Sequence, residues 1–260
     1  MPVKVFDQEA FHEVDRQVRG MAFDIHNTFG RYLDESIYQL ELARRLRVAG
    51  RDVVTEFRMT ACMDGFFKNY FADLLIDAGV IVETKTVRTM TSYHRGQTLN
   101  YLYMCGLRHA TQLNFRPQRV EHEFVSTGIT FAERQNFEVH AETWTPCSEQ
   151  CESLRKQFLR CLSEWGAFLD PNLYRDALVH YFGGLSSVER NVPVTSEGVL
   201  LGTQKMRMIN DRIAFTVTAS THRPDTVFDH QRRFLQHTPL KALHWFNLNR
   251  HNIEIRTITQ

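Results

Sequence analysis

The feature that most constrains this chain is that its second half repeats the order of its first. YLDESIYQLEL at 32–42 is answered by FLDPNLYRDAL at 168–178, about 136 positions on. VERNVPVTSEG at 188–198 resembles the segment ending EFRMTACMDG, and GVLLGTQKMRMINDRIAFTVTA resembles GFFKNYFADLLIDAGVIVETKTV at an offset of about 132–133. LHWFNLN at 243–249 then answers HATQLNF at 109–115. Several weak matches in one order and at nearly one spacing mark an internal duplication. The 260 residues are therefore read as two modest units, 1–130 and 131–260, rather than one large domain.

Within the first unit, Val14, Val18, Met21, Ala22, Ile25 and Phe29 recur at helical steps, which predicts a helix over 7–29 ended by Gly30. A second helix is expected from Asp34 to Ala49. Extended segments follow: VVTEFRMTACM, a turn at Asp64-Gly65, NYFADLLI, a turn at Asp77-Ala78-Gly79, and VIVETKTV. YHRGQTLNYLYMCGL at 93–107 fits an amphipathic helix, and HATQLNF another strand. The order predicts an α/β unit, and the acidic stretch 131–155 joins it to the second, whose first helix is expected over Cys151–Trp165.

Composition excludes several classes. With 31 basic against 30 acidic residues the net charge is +1, so the chain as a whole has no electrostatic pull on polyanions. No apolar run has the length of a signal sequence or a membrane span, so a cytoplasmic protein with no membrane partner is expected. Cys147-x3-Cys151-x9-Cys161 offers a metal or iron–sulfur reading, against reduced thiols in a core or on a helix.

Asp73, Glu83 and Lys85 form a D-x9-E-x-K pattern across two strands and a tight turn. Residues i and i+2 of a strand share a face, so Glu83 and Lys85 point the same way, and the hairpin brings Asp73 alongside. Two carboxylates suit a divalent cation, and a lysine beside them can position water or stabilise phosphoryl charge. The plain alternative is a solvated strand face carrying a surface ion pair. Glu35 adds a carboxylate on the preceding helix, with helix solubilisation as its ordinary role.

These residues resemble the GxxExxY family of the PD-(D/E)XK nuclease superfamily. The resemblance runs from Val18 to Phe115, through IHNTFGRYLDESIY, FADLLIDAGVIVETKTV and QTLNYLYMCGLRHATQLNF. It implies restriction-endonuclease-like units with central mixed sheets flanked by helices. It also implies a catalytic set of Glu35, Asp73, Glu83, Lys85 and Gln97, with Glu35, Asp73 and Glu83 holding Mg2+, for which Mn2+ substitutes. Tyr38 and Tyr101 match the family's tyrosine and a position in its following helix. His26, Arg31, Tyr32 and Tyr101 are candidate substrate contacts, although a structural histidine at 26 and a packing tyrosine at 101 are the bland readings. The Gly that names the family is Tyr32 here, and Gly30-Arg31-Tyr32 replaces Gly-Pro-Gly, which puts the local loop geometry in question. Asn114 is read as a structural backbone contact.

In the second unit Lys205 answers Asp73, and Phe215 and Val217 answer Glu83 and Lys85, so this half is expected to be a degenerate, noncatalytic repeat. Lys205, Arg207, Arg212 and the Arg232-Arg233 pair offer either a phosphate surface or charged solvent faces. The expected activity is magnesium-dependent hydrolysis of phosphodiesters, with DNA favoured over RNA. The rival is an inactive nucleic-acid-binding or protein-complex scaffold. A homodimer or another protein partner stays open.

Overall fold

The computed structural model describes residues 2–221 and 224–260. The chain forms two compact units, Met1–Ala61 with Lys68–Thr130, and Phe131–Gln260 with the Cys62–Phe67 turn.

The first unit opens with α1 (Gln8–Phe29), whose Asp7 carboxylate caps the Ala10 N–H at 2.9 Å and whose Phe11, Val14, Val18, Ala22 and Ile25 form a buried stripe. Gly30, at φ 73°, stops it in a conformation that costs a glycine little. α2 (Glu35–Val48) buries Tyr38, Leu42 and Leu46. β1 (Val53–Met63) and β2 (Phe66–Ile76) meet at Asp64-Gly65, both at positive φ as a two-residue hairpin turn requires. β3 (Val80–Lys85) is buried along its whole length. α3 (Ser92–Cys105), β4 (His109–Asn114) and β5 (Glu121–Ser126) complete the unit.

The sheet order is β1-β2-β3-β4-β5, with β3 antiparallel to β2 and parallel to β4, and β5 antiparallel to β4. Alternation assigns the two faces. Leu74, Ile76, Val80 and Val82 pack with α1 and α2, whereas Leu75 and Ile81 pack with Tyr101 and Leu102 of α3. Buried on both sides, the central strands read as continuous apolar runs. Each fully buried Leu or Ile contributes roughly 1.5–3 kcal/mol by transfer from water.

After α4 (Phe131–Gln135) and β6 (Glu138–His140), the second unit repeats the plan. It runs α5 (Glu149–Trp165), α6 (Pro171–Tyr181), a short α7 (Leu185–Val188), β7 (Glu189–Ser196), β8 (Val199–Asn210), β9 (Ile213–Thr218), α8 (Pro224–Gln236), β10 (Ala242–Asn249) and β11 (Asn252–Thr259). Its sheet, β6-β11-β10-β9-β8-β7, is also mixed, with β9 parallel to β10 and antiparallel to β8. The duplicated α/β architecture expected from the sequence is therefore present.

Matching details confirm the repeat. Tyr38 Oη donates to Gly30 O, and Tyr174 Oη makes the same bond to Gly166 O. Asn114 bridges the N–H and C=O of Val87 and contacts Glu121; Asn247 bridges Ser220 and contacts Glu254 in the same way. The structural reading of Asn114 holds in both copies.

Among the described residues no helix is long and apolar enough to cross a membrane. All five cysteines are free. Cys151 packs with Ile213 and Ala242 and Cys161 is buried on the same helix, ten residues and roughly 15 Å further along, so the Cys147–Cys151–Cys161 spacing does not gather one metal site.

Candidate active site

The site lies where β2 and β3 part. Their ladder runs to Leu74↔Val82 and is then replaced by side chains. The Asp73 N–H donates to Glu83 Oε1 at 3.1 Å, while Thr84 donates both its N–H and its hydroxyl to Asp73 Oδ2, each at 2.7 Å. Carboxylates thus take over the backbone donors that the splayed strands would leave unpaired. Glu83 and Lys85 share the face of Ile81, under α3, as the two-residue strand period requires.

Lys85 Nζ lies 3.1 Å from Glu83 Oε2 and 3.6 Å from Glu35 Oε1. Glu35, the first residue of α2, also accepts the Thr86 N–H at 3.1 Å. Two carboxylates therefore contact one ammonium, which also lies in the field of Asp73. Glu83 is 1 % exposed. Burial first, and then Asp73, push its pKa up to about 7, against the pull of Lys85 and the Asp73 N–H. Burial draws the Lys85 pKa down, but Glu83, Asp73 and Glu35 outweigh it and hold the group above its ordinary value.

Gln97 donates to Tyr101 Oη at 2.7 Å rather than to Lys85. Burial, followed by the negative field of Glu83, raises the Tyr101 pKa, so its hydroxyl stays protonated beside the carboxylates. Glu35, Asp73, Glu83 and Lys85 are brought together, then, with Tyr101 and Gln97 adjoining. His26 instead bonds Pro117 O at 3.1 Å, a structural tie between α1 and the segment after β4. Arg31 donates to Tyr32 Oη, and Arg116 lies over the other end of that contact, 6.0 Å from the Tyr32 ring, while bonding Thr86 O. Tyr32 is 73 % exposed. Tyr38 is structural, stacked on Phe115 at 4.4 Å.

Sequence reasoning missed Gln39, one turn beyond Glu35, which donates to Asp73 O at 3.0 Å and to Glu56 Oε1 at 2.8 Å. It missed Thr84, Thr86 and Arg116 as well. The E-x3-Q spacing on α2 is the one signal that would have placed Gln39 on the same helix face as Glu35.

Hard carboxylate oxygens are the donor type magnesium takes, and Glu83 beside Asp73 carries more negative charge than Lys85 cancels. As arranged, Glu35 and Glu83 are both drawn onto Lys85, and among the described residues no three His, Cys, Asp or Glu side chains converge to hold a metal ion.

The second unit keeps the scaffold and loses these groups. Strand register aligns Asp73, Glu83 and Lys85 with Met206, Thr216 and Thr218, and helix order aligns Glu35 with Pro171. This corrects the expected counterparts Lys205, Phe215 and Val217 by one residue. The sequence echo leaves the offset open between 132 and 133, and the pairing of Thr218 with Asn247, matching that of Lys85 with Asn114, selects 133; a one-residue slip exchanges the faces of a strand. The corresponding region is an apolar cleft of about 540 Å³ lined by Met206, Thr216, Val227, Phe234 and Leu243. Lys205 and Arg207 both pair with Glu189, so they do not form a free phosphate surface, and Arg232 and Arg233 lie exposed on α8.

No curated protein matches the chain. A solved structure described as "Crystal structure of SSO0001" is similar at 20 % identity over 37 % of this chain and 52 % of that one, with a TM-score of 0.32; the chain thus spans about half of that structure's length. The strand-borne Asp73, Glu83 and Lys85 fall inside a match to the PD-(D/E)XK nuclease superfamily model, and residues 12–140 form a domain of that superfamily.

Proposed function

We propose that the first unit is a magnesium-dependent nuclease that hydrolyses phosphodiester bonds, with DNA as its favoured substrate. The observation that carries this reading is the parting of β2 and β3, which puts Asp73, Glu83, Glu35 and Lys85 around one point with an excess of negative charge. Membership of residues 12–140 in a nuclease superfamily supports it.

Asp73 and Glu83 would hold the ion, with Glu35 completing the set. When bound, the ion supplies Lewis-acid polarisation of the phosphoryl group and neutralises charge. Lys85 keeps its proton and stabilises the negative charge that develops on a non-bridging phosphoryl oxygen. Tyr101, held protonated, donates a hydrogen bond beside it, and Gln97 fixes the orientation of that hydroxyl. Gln39 locks the Asp73 backbone to α2, which sets the distance between Glu35 and the strand carboxylates. The second unit, with Met206, Thr216 and Thr218 at the matching positions, contributes no chemistry of this kind.

The inactive-scaffold reading has one observation in its favour, the closure of Glu35 and Glu83 onto Lys85. Turnover of single- and double-stranded DNA and RNA with Mg2+ decides between the two. The nuclease reading expects metal-dependent cleavage that falls at least about 100-fold in Lys85→Ala and Asp73→Ala. Cleavage that persists in both variants removes this site from the reaction, and absence of cleavage on every substrate favours the scaffold.

A further inference from the structure

One hairpin contact inside the second unit has an unmated counterpart elsewhere in the chain. The Cys62–Phe67 turn belongs to that unit, where its tip is seated on α5 and α6. The Phe66 ring lies 5.8 Å from Trp165, 5.7 Å from His180 and 6.4 Å from Tyr181. Trp165 Nε1 donates to Cys62 O at 3.3 Å, Tyr181 Oη donates to Met63 O at 2.6 Å, and Arg160 pairs with Asp64.

The duplication supplies both halves of this contact a second time. The tip that corresponds to Asp64-Gly65-Phe66-Phe67 is Glu197-Gly198-Val199-Leu200, with Glu197 and Gly198 again at positive φ. Val199, Leu200 and Leu201 are 62–68 % exposed, an apolar run that a monomer has no reason to leave in water. The helix pair that corresponds to α5 and α6 is α1 and α2. Phe29 ends α1 before Gly30 as Trp165 ends α5 before Gly166, and Arg44 and Arg45 hold the places of His180 and Tyr181. Here the seat is an open groove of about 370 Å³ lined by Ile25, Phe29, Leu33, Ile37, Leu40 and Arg44. Phe29 is 48 % and Leu40 61 % exposed.

We propose that the Val199–Leu201 tip of one copy of this chain seats in the α1–α2 groove of a second copy, and that the exchange is reciprocal, giving a homodimer with two tip-and-groove contacts. The occupant is a second copy because the tip and the groove are the unmated duplicates of a pair the chain already makes, and both stay exposed within a single chain. The Arg160–Asp64 ion pair does not carry over, because Asp24 stands in the place of Arg160 and Glu197 in that of Asp64, and Arg44 and Arg45 on α2 are both paired with Glu41; the contact rests on its apolar surfaces. A tip-to-groove contact joins different surfaces, and closure into a two-fold pair is what keeps it from growing into a chain.

The test is mass determination of the full chain by sedimentation equilibrium, up to a concentration on the order of 100 µM. The wild type is expected to associate to twice its monomer mass, and Leu200→Asp and Phe29→Asp each to stay monomeric. An equimolar mixture of the two variants retains one intact tip and one intact groove, and is expected to recover a weaker dimer. Leu201→Asp and Leu40→Asp provide a second pair should either first variant fail to fold, which thermal melting reports. A monomeric wild type, a variant that still dimerises, or a mixture that stays monomeric each overturns the proposal. None of these outcomes bears on whether the first unit cleaves phosphodiesters.

Discussion

Lys85 is the single positive charge that makes the carboxyl cluster of the first unit tolerable. It contacts Glu83, which is buried, and Glu35, which is partly exposed, and it lies in the field of Asp73. Removing it leaves Glu83 buried without its cation, a loss that usually costs more than the pair gained on forming. Lys85→Met is therefore expected to destabilise the metal-free protein by about 3 kcal/mol at pH 8, where Glu83 is ionised. At pH 5, where Glu83 is protonated, the loss is expected to be much smaller. Urea unfolding at the two pH values measures the difference, and equal losses at both would show that packing of the lysine stem, not charge, is what matters. Tyr38 and Tyr174 have a simpler duty: each hydroxyl satisfies the carbonyl of the glycine that ends the preceding helix. Either Tyr→Phe change leaves that carbonyl unpaired and is expected to cost about 1 kcal/mol in urea unfolding.

The elements of the first unit were legible where side-chain period and burial agree. α1, α2, α3 and β1 to β4 lie within a few residues of their expected bounds, because each is apolar on a face that packs. β5 was not legible: EHEFVS is an edge strand with Val125 its one fully buried residue, so it shows no alternation. α8 was missed although its period is plain: Val227, Phe228, Phe234 and Leu235 recur at helical steps and pack on the core of the second unit. At the site, Asp73, Glu83 and Lys85 were readable because strand alternation and a tight turn determine their faces, whereas Glu35, at the start of α2, came from the family resemblance. Thr84 and Thr86 were not, since they contribute backbone N–H groups exposed by the parting of the strands, which no side-chain pattern records. The one-residue error in the second unit has another origin: the sequence echo fits offsets of 132 and 133 almost equally, and only the backbone pairing of Thr218 with Asn247, like that of Lys85 with Asn114, selects 133. Elements also share one device that outlived the chemistry, the asparagine near the end of β4 and β10 that ties down the segment following the parallel neighbour, β3 or β9. Asn114→Ala and Asn247→Ala each remove two backbone bonds from a buried amide, and each is expected to cost about 2–3 kcal/mol by thermal unfolding.

Over the whole molecule, Glu83 and His244 are expected to make the two units respond to acid in opposite directions. Glu83 has its folded pKa raised to about 7 from 4.5, so the folded first unit binds more protons than its unfolded chain between those values, and its stability increases as pH falls through that window. His244 in the second unit is fully buried and packed 4.2 Å from Trp144, and burial lowers its pKa from 6.5 to about 4. Below pH 6.5 the unfolded chain takes up a proton that the folded unit refuses, so stability is lost as pH falls toward 4. Between pH 7.5 and 5 each effect amounts to about 2 kcal/mol, with opposite sign. Two units with separate cores need not unfold in one step, and all three tryptophans, Trp144, Trp165 and Trp245, lie in the second. Tryptophan fluorescence therefore follows that unit, while far-ultraviolet circular dichroism follows both. On moving from pH 7.5 to 5 the fluorescence transition is expected to shift to lower temperature while the remaining dichroism transition shifts upward. His244→Phe preserves the ring packed against Trp144 and removes the titration; it leaves Thr257 its bonds to Thr145. The variant is expected to abolish the acid shift of the fluorescence transition and leave the other in place, and an unchanged acid shift would show that a different group makes the second unit acid-sensitive.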